Sequence, residues 1–234
     1  MKWKQLIEKT NKKLEKLQFS SPVAHTYNPL SYSFKMALDY SEKFGSEKVK
    51  AVFLGMNPGP FGMVQTGVPF GEIAAVRDFL KIPDQTGRPY SQHPKRSVEG
   101  FECKRSEVSG RRLWEFMKDR FGDCSYMKGR VFIANYCPLA FLSERGSNIT
   151  PDKLKKSERE SLFEICDELI LETFKMLDPE YLIGIGNFAF ERLTMLNPSE
   201  KTLLKIPHPS PANPRANKFW FEDTSEILDG LGLY

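Results

Sequence analysis

Three loops of this sequence carry amide or imidazole side chains next to prolines. Asn57 lies in Gly-Met-Asn-Pro-Gly-Pro-Phe-Gly, Asn135 begins Asn-Tyr-Cys-Pro-Leu, and His208 begins His-Pro-Ser-Pro-Ala-Asn-Pro. Proline restricts the backbone of each loop, so the polar side chain beside it is held in place. The three loops contain no pair of carboxylates of the kind that hydrolyses O-glycosidic bonds. The polar side chains that begin these loops are two amides and an imidazole, which can donate and accept hydrogen bonds.

Each of these loops follows a short apolar run. Such runs predict four buried strands, at residues 49–55, 130–135, 181–186 and 203–207. Helical spacing of apolar residues predicts an amphipathic, solvent-facing helix at 2–17 and further helices at 72–81, 107–121 and 158–177. Strands separated by helices imply an α/β fold with a parallel sheet that is covered on both faces. Ligands of such sheets bind beyond the carboxyl ends of the strands, which is where the three loops lie.

The bulk composition is that of an intracellular globular protein. With 234 residues, 40% of them hydrophobic, the chain can bury one substantial core, so we expect a single domain spanning residues 1–234. The net charge of +4 permits a polyanionic partner without demonstrating one. No apolar run approaches the length of a membrane span. We expect an intracellular monomer without membrane association, in the cytoplasm or nucleoid of a bacterium or the nucleus of a eukaryote.

The cysteines and glycines argue against common cofactors. No two of the four cysteines have the C-x-x-C spacing from which most zinc and iron–sulfur sites are built. The glycines at 55, 59 and 62 are not followed by the Gly-Lys-Ser/Thr of a Walker loop. We therefore expect reduced cysteines, no metal and no other cofactor.

Two long motifs surround Asn57 and His208. The first continues from Gly55 through Gln-Thr-Gly-Val-Pro-Phe-Gly to Glu72, and the second continues from His208 to Lys218. In this order they resemble the two motifs of the single-strand-selective monofunctional uracil-DNA glycosylases. Shorter matches to the same family lie at 27–29, 93–96, 106–110 and 135–139. The resemblance covers nearly the whole chain and implies a three-layer α/β/α sandwich around a parallel four-stranded sheet.

The resemblance implies hydrolysis of the bond between uracil and deoxyribose, which would initiate base excision repair. It assigns catalysis to Asn57, which would position the attacking water, and to His208. A neutral His208 could donate a hydrogen bond to uracil O2, where negative charge develops as the base departs. An amide is not a base at neutral pH, so the implied reaction is dissociative, with water arriving late on an oxocarbenium-like sugar.

The resemblance also assigns recognition of the base, which must first be rotated out of stacked DNA. Phe70 would stack on the base, while the carboxamide of Asn135 would accept from N3–H and donate to O4. The remaining residues assigned to substrate binding are Met56, Gly59 and Met63. Gly59 would leave room beside the 5-position, so the implied substrates are uracil and polar 5-substituted uracils such as 5-hydroxymethyluracil.

DNA, single- or double-stranded, is the implied partner. The resemblance assigns contacts with DNA to seven residues of the second motif: Pro209, Ser210, Pro211, Ala212, Asn213, Arg215 and Lys218. In the family this loop inserts into the duplex and fills the gap left by the flipped nucleotide. Vertebrate members carry an arginine after His-Pro-Ser-Pro, whereas this chain carries Ala212.

Each of these residues also has a structural interpretation. Taken alone, His208 could be a structural histidine, Phe70 a core residue, and both asparagines loop residues that bind their own backbone. At the level of function, the alternative to an enzyme is a damage-binding module that keeps the pocket without turnover. Glycosylase families with Asp or Tyr in the first motif differ at Asn57 and Gly59. Intact Asn57 and His208 favour the enzyme, and the absence of a pocket lysine from the two motifs favours one without lyase activity.

Overall fold

The computed structural model describes residues 1–196 and 201–234, with seven strands and eight α-helices in these ranges. In chain order the strands are β1 (His25–Tyr27), β2 (Ala51–Gly55), β3 (Val131–Asn135), β4 (Ala140–Leu142), β5 (Asn148–Ile149), β6 (Tyr181–Ile185) and β7 (Thr202–Ile206). The helices are α1 (Trp3–Leu14), α2 (Pro29–Tyr32), α3 (Phe34–Phe44), α4 (Met63–Thr66), α5 (Val108–Phe121), α6 (Lys156–Leu177), α7 (Asn187–Leu196) and α8 (Ala216–Leu228).

The central sheet has four parallel strands in the order β3-β2-β6-β7. Every residue of β2 and β3 is buried, so helices cover the sheet on both faces, because successive side chains point to opposite sides. This confirms the predicted α/β/α sandwich and its four strands. The fourth strand, however, is not buried as predicted. In β7 only Ile206 is buried, since this strand lies at the edge of the sheet.

The predicted helices at 2–17, 107–121 and 158–177 are confirmed as α1, α5 and α6. The helix predicted at 72–81 is confirmed in shorter form at 73–79, but the part from Ala75 to Phe79 is π-helical rather than α-helical. There the Leu80 N–H donates to the carbonyl five residues earlier, and Lys81 follows with a φ of 54° that ends the turn. The sequence also did not predict the second, antiparallel sheet, formed by β1, β4 and β5.

The edge of the sheet at β3 is closed by the side chain of Tyr40 from α3. Its hydroxyl donates to the Ile133 carbonyl at 2.9 Å and accepts from the Ile133 N–H at 3.0 Å. One residue earlier, the ring of Phe132 stacks on Trp3 of α1 with a centroid distance of 5.1 Å. The Tyr40 hydroxyl thus satisfies the backbone groups of Ile133 at the open edge of β3, and the strand holds Asn135 at its carboxyl end.

None of the four cysteines is in a disulfide, and three of them are buried. In residues 1–196 and 201–234, no helix combines the length and apolar character needed to cross a bilayer. Within the same ranges, no cluster of three or more His, Cys, Asp or Glu side chains is arranged to hold a metal ion.

Candidate active site

A cavity of about 420 Å³ opens where β2, β3 and β7 end. The residues that line it include most of those predicted to contact the base or the water: Met56, Asn57, Gly59, Phe70, Asn135 and His208. Ser210 lines it from the second motif. The order of the strands therefore brings together side chains that are up to 154 residues apart in a single pocket, as the rule for open α/β sheets predicts.

Asn135 is the last residue of β3 and pairs in register with Gly55 of β2. Only 7% of Asn135 is exposed, its Nδ2 lies 3.2 Å from the sulfur of Met63, and its Oδ1 is buried without a hydrogen-bond partner among the described residues. A buried acceptor that lacks a donor carries a penalty of about 1–3 kcal/mol, which a ligand N–H would relieve. Met63, which contacts the Asn135 amide, does not itself line the cavity.

Gly55 allows two side chains of the site to meet above it. A Cβ at this position would overlap the ring of Phe70 and lie 2.5 Å from Asn135 Oδ1. Since any side chain would displace one of them, glycine is required where the Asn135 amide and the Phe70 ring converge.

Phe70 adopts a backbone conformation that is unusual for a residue other than glycine, with a φ of 53°. Such a conformation costs of order 1–3 kcal/mol and persists only where the surroundings enforce it. Here the indole N–H of Trp114 donates to the Phe70 carbonyl at 3.1 Å. The ring lies 6.3 Å from that of His208, inclined by 43°. Phe70 is thus held as a wall of the cavity next to the imidazole.

His208 follows β7 after one proline, and its ring has a defined tautomer. The Ser210 backbone N–H donates to Nδ1 at 3.1 Å, so the proton of the neutral ring is on Nε2. Burial lowers the pKa of the imidazole from its ordinary value, which keeps the ring neutral at pH 7. His208 therefore provides one N–H donor from a neutral group that lines the cavity.

Asn57 lies two residues beyond β2 and is partly exposed. Its Nδ2 lies 3.5 Å from the Pro58 carbonyl, at the outer limit of a hydrogen bond. The amide is therefore weakly engaged and can hold a water molecule in the cavity.

The loop after His208 is ordered by its own hydrogen bonds and by Arg112 of α5. The Arg112 guanidinium donates to the Pro209 carbonyl at 3.0 Å and to Asn217 Oδ1 at 2.8 Å. The Asn217 amide in turn donates to the Pro211 carbonyl at 2.9 Å. Arg112 thus stabilises the loop from α5. Its sequence context, that of a surface cation, did not indicate this role.

The seven residues predicted to contact DNA differ in exposure. Pro209 is buried, Ser210 and Asn213 are partly buried, and the other four are exposed: Pro211, Ala212, Arg215 and Lys218. The guanidinium of Arg215 makes two contacts of 2.6 Å with the carboxylate of Asp223, which neutralises its charge locally. Lys218 is thus the exposed cation of this set without such a bidentate partner among the described contacts.

Glu107 is the main residue of the cavity that the sequence did not indicate as a site residue. It belongs to the 106–110 segment of the resemblance, which assigned it no role, and it lines the cavity together with Gly59. Burial raises the pKa of its carboxyl to about 7, and the nearby Glu72 contributes, while the backbone N–H groups of Phe61 and Gly62 oppose the shift. Also missed were three polar residues that line the cavity: Ser109, Asn148 and Thr150.

Comparison with known families defines the class of this protein. A model of the uracil DNA glycosylase superfamily matches residues 42–231. This range includes both long motifs and all the residues named above in the cavity. The chain therefore belongs to the uracil-DNA glycosylase superfamily, as the motifs predicted.

Curated relatives narrow the comparison. The single-strand selective monofunctional uracil-DNA glycosylase of Rattus norvegicus is 42% identical over 227 residues, which cover 95% of this chain and 81% of the relative. The corresponding protein of Bos taurus is 41% identical and covers 95% and 83%. The crystal structure of SMUG2 from Pedobacter heparinus aligns over 100% of both chains with a TM-score of 0.70 at 18% identity, and it supports the fold.

Proposed function

We propose that this protein hydrolyses the N-glycosidic bond of uracil in single- and double-stranded DNA and leaves the strand intact. The observation that carries the proposal is the combination of three groups in one cavity: the neutral Nε2–H of His208, the unpartnered Oδ1 of Asn135 and the ring of Phe70. A flipped uracil offers a matching acceptor, donor and π-face. The names and high identity of the relatives support the same substrate.

In the proposed reaction the bond between C1′ and N1 breaks, and its electron pair leaves with uracil. The base stacks on Phe70, Asn135 Oδ1 accepts from N3–H, and His208 Nε2–H donates to O2, where the negative charge grows. A preorganised donor of this kind contributes about 2.7–4 kcal/mol to the stability of the transition state. Water held by Asn57 then bonds to the positively charged C1′ and releases its proton to solvent. The product is an abasic site.

We also propose that polar 5-substituted uracils, such as 5-hydroxymethyluracil, are substrates while thymine is spared. Gly59 has no side chain to block the 5-position. A hydroxymethyl group can replace the hydrogen bonds of a water bound there, whereas a methyl group displaces the water without replacing them.

A glycosylase assay tests the proposal directly. End-labelled oligonucleotides with one uracil, single-stranded and in duplex, are incubated with the protein, and alkali then reveals abasic sites. We expect cleavage only after alkali, because none of the described residues that line the cavity is a lysine that could form a Schiff base. Tight binding without release of uracil would instead identify a damage-binding module. Strand cleavage without alkali would contradict the monofunctional reaction.

A further inference from the structure

The carboxyl of Glu107 takes an unusual direction for its place in the chain. Glu107 is the N-cap residue of α5, yet its side chain makes no capping hydrogen bond. It instead points toward the loop after β2. A Cβ on Gly59 would overlap this carboxyl, and one on Gly62 would lie 2.5 Å from its Oε2. The carboxyl therefore occupies the space that side chains at Gly59 and Gly62 would fill.

One oxygen of this carboxyl is left without a protein partner. Oε2 is buried and makes no well-formed hydrogen bond to the described residues, although the backbone N–H groups of Phe61 and Gly62 approach the carboxyl and Glu107 lines the cavity. An unpaired buried acceptor is costly, and native proteins rarely keep one unless a ligand, ion or water completes it. A donor group on a bound ligand could therefore complete the hydrogen bonding of this oxygen.

The neighbours of Glu107 show which edge of a bound base it would face. In the proposed pose, His208 donates a hydrogen bond to O2 of the ring, while Asn135 accepts one from N3–H and donates one to O4. Met63 contacts the Asn135 Nδ2 that we propose to donate to O4. Gly62, the residue before Met63, lies against the Glu107 carboxyl. Going round the pyrimidine from O2 past O4, the next position is C5. Gly59, which we propose to lie beside the 5-position, would place a Cβ against the Glu107 carboxyl, so in this pose Glu107 faces the C5 side of the pocket.

We propose that Glu107 is a specificity-determining residue, whose Oε2 accepts a hydrogen bond from a donor group on C5 of the pyrimidine. The inference rests on the proposed uracil excision and adds the protein atom that selects a hydroxymethyl substituent. A 5-hydroxymethyl group places an O–H at this oxygen. An ethyl group has nearly the same size but no donor, and it would leave the oxygen buried and unpaired.

The carboxyl can play this part in either protonation state. Its raised pKa means that both forms are present near pH 7. The ionised form accepts through both oxygens, and the protonated form still accepts through its carbonyl oxygen. Partial neutralisation also limits repulsion of the anionic uracil that leaves the sugar.

The experiment compares single-turnover rates on matched single-stranded oligonucleotides that contain uracil, 5-hydroxymethyluracil or 5-ethyluracil. For the wild-type protein we expect 5-hydroxymethyluracil to be excised about tenfold faster than 5-ethyluracil, the effect of one buried hydrogen bond. Glu107→Met removes the acceptor and should bring this ratio close to one. Glu107→Gln keeps an amide oxygen as acceptor and should retain most of the preference.

Glu72→Gln is the matched control, because Glu72 is a second buried carboxyl near Glu107 that does not line the cavity. It should leave the ratio unchanged. If Glu107 only holds the loop in place, Glu107→Met will slow all three substrates by the same factor, and the proposal is overturned.

Thermal melting would reveal a variant that fails to fold. In that case the rates of the wild-type protein still test the proposal. Equal wild-type rates on the hydroxymethyl and ethyl substrates overturn the proposal without any mutant. A wild-type protein that excises uracil but shows no such preference refutes the role of Glu107 alone. A protein that excises none of the three bases refutes the proposed function itself.

Discussion

The cavity, which we propose as the pocket for the base, and the loop after His208 are both reached by His208, but the two regions are built differently. In the pocket, Asn135 and Phe70 are each 7% exposed, and fixed backbone geometry holds both. In the loop, Pro211 and Ala212 are exposed, and Arg215 is neutralised by Asp223. The first region has water-excluded groups with little freedom, and the second presents its groups to solvent.

This difference predicts where single substitutions have large effects. Hydrogen bonds to a developing charge are stronger in a buried, preorganised site than in water. Contacts between exposed groups and phosphate are weakened by salt, and each contributes less. Substitutions in the pocket should therefore change the rate of excision, while those in the loop should change the response to the form of the DNA.

The largest effect is expected for His208→Ala. Loss of the Nε2–H donor should lower the single-turnover rate on uracil by about 10²–10³-fold, because the charge on O2 is no longer stabilised. His25→Ala, which changes a histidine that does not line the cavity, is the control and should stay close to wild type. A loss of less than about fivefold for His208→Ala would be too small for a preorganised donor and would remove His208 from catalysis.

Asn57→Ala should slow excision by about 10²-fold, because misplacing a reactant typically has an effect of this size. Binding to uracil-containing DNA, measured by fluorescence anisotropy at fixed salt, should survive, since the pocket and the loop remain intact. Near-normal turnover would contradict the water-positioning role. Loss of binding together with turnover would place Asn57 in recognition instead.

Asn135→Asp tests the reading of the base edge. A carboxylate has no donor for O4 and repels it, so excision of uracil should fall roughly thirtyfold, equivalent to about 2 kcal/mol. Single-turnover kinetics should be compared at matched folded fraction, verified by thermal melting. Unchanged kinetics on uracil would remove Asn135 from recognition.

The sequence predicted the sheet and the members of the pocket well for a physical reason. Buried parallel strands are continuous apolar runs, and their carboxyl ends must meet at one edge, so the sequence alone is enough to group Asn57, Asn135 and His208. The motifs then suggested their roles. Phe70, by contrast, has a positive φ that no residue pattern indicates, since it is enforced by contacts such as that with Trp114.

Long-range contacts account for two features that the sequence did not predict, and local backbone geometry accounts for a third. Glu107 has the sequence context of an ordinary acidic residue at the start of a helix, and its burial depends on two glycines that are about 45 residues earlier. Arg112 has the context of a surface cation, yet it donates to the Pro209 carbonyl. The segment 72–81 has helical spacing, but backbone bonds across five residues give it a π-helical turn.

Arg112→Met tests how far catalysis depends on the order of the loop, because Arg112 connects α5 with the loop. Removal of its two hydrogen bonds should slow excision by about tenfold, as expected for a charged donor to loop carbonyl and amide oxygens. The loop also carries His208, so single-stranded and duplex substrates should be affected equally. Arg111→Met, at a neighbouring residue that does not contact the loop in the described contacts, is the control. A loss confined to duplex DNA would place Arg112 in DNA contact instead.

The smallest expected effect concerns Ala212, which stands where the family resemblance implies an arginine. Flipping a base from a duplex costs a few kcal/mol of stacking and pairing, whereas a single strand starts partly unstacked. The exposed methyl of Ala212 cannot span the vacated stack, but an arginine could stack on bases and contact phosphate. We therefore expect Ala212→Arg to improve single-turnover excision from duplex DNA by about 1 kcal/mol more than from single strands.

Salt must be held fixed in this comparison, because any added cation strengthens binding to the phosphate backbone. Ala212→Lys is the matched control, since it adds the same charge without a planar group that stacks. If the excision rate rises equally on both substrates, or equally for Ala212→Lys, the effect is general electrostatic attraction to DNA. Either result would contradict insertion of the arginine into the duplex. No gain on either substrate would mean that neighbouring loop residues such as Asn213 already fill the gap. Arg215 is less suited to that part, because Asp223 holds its guanidinium on α8.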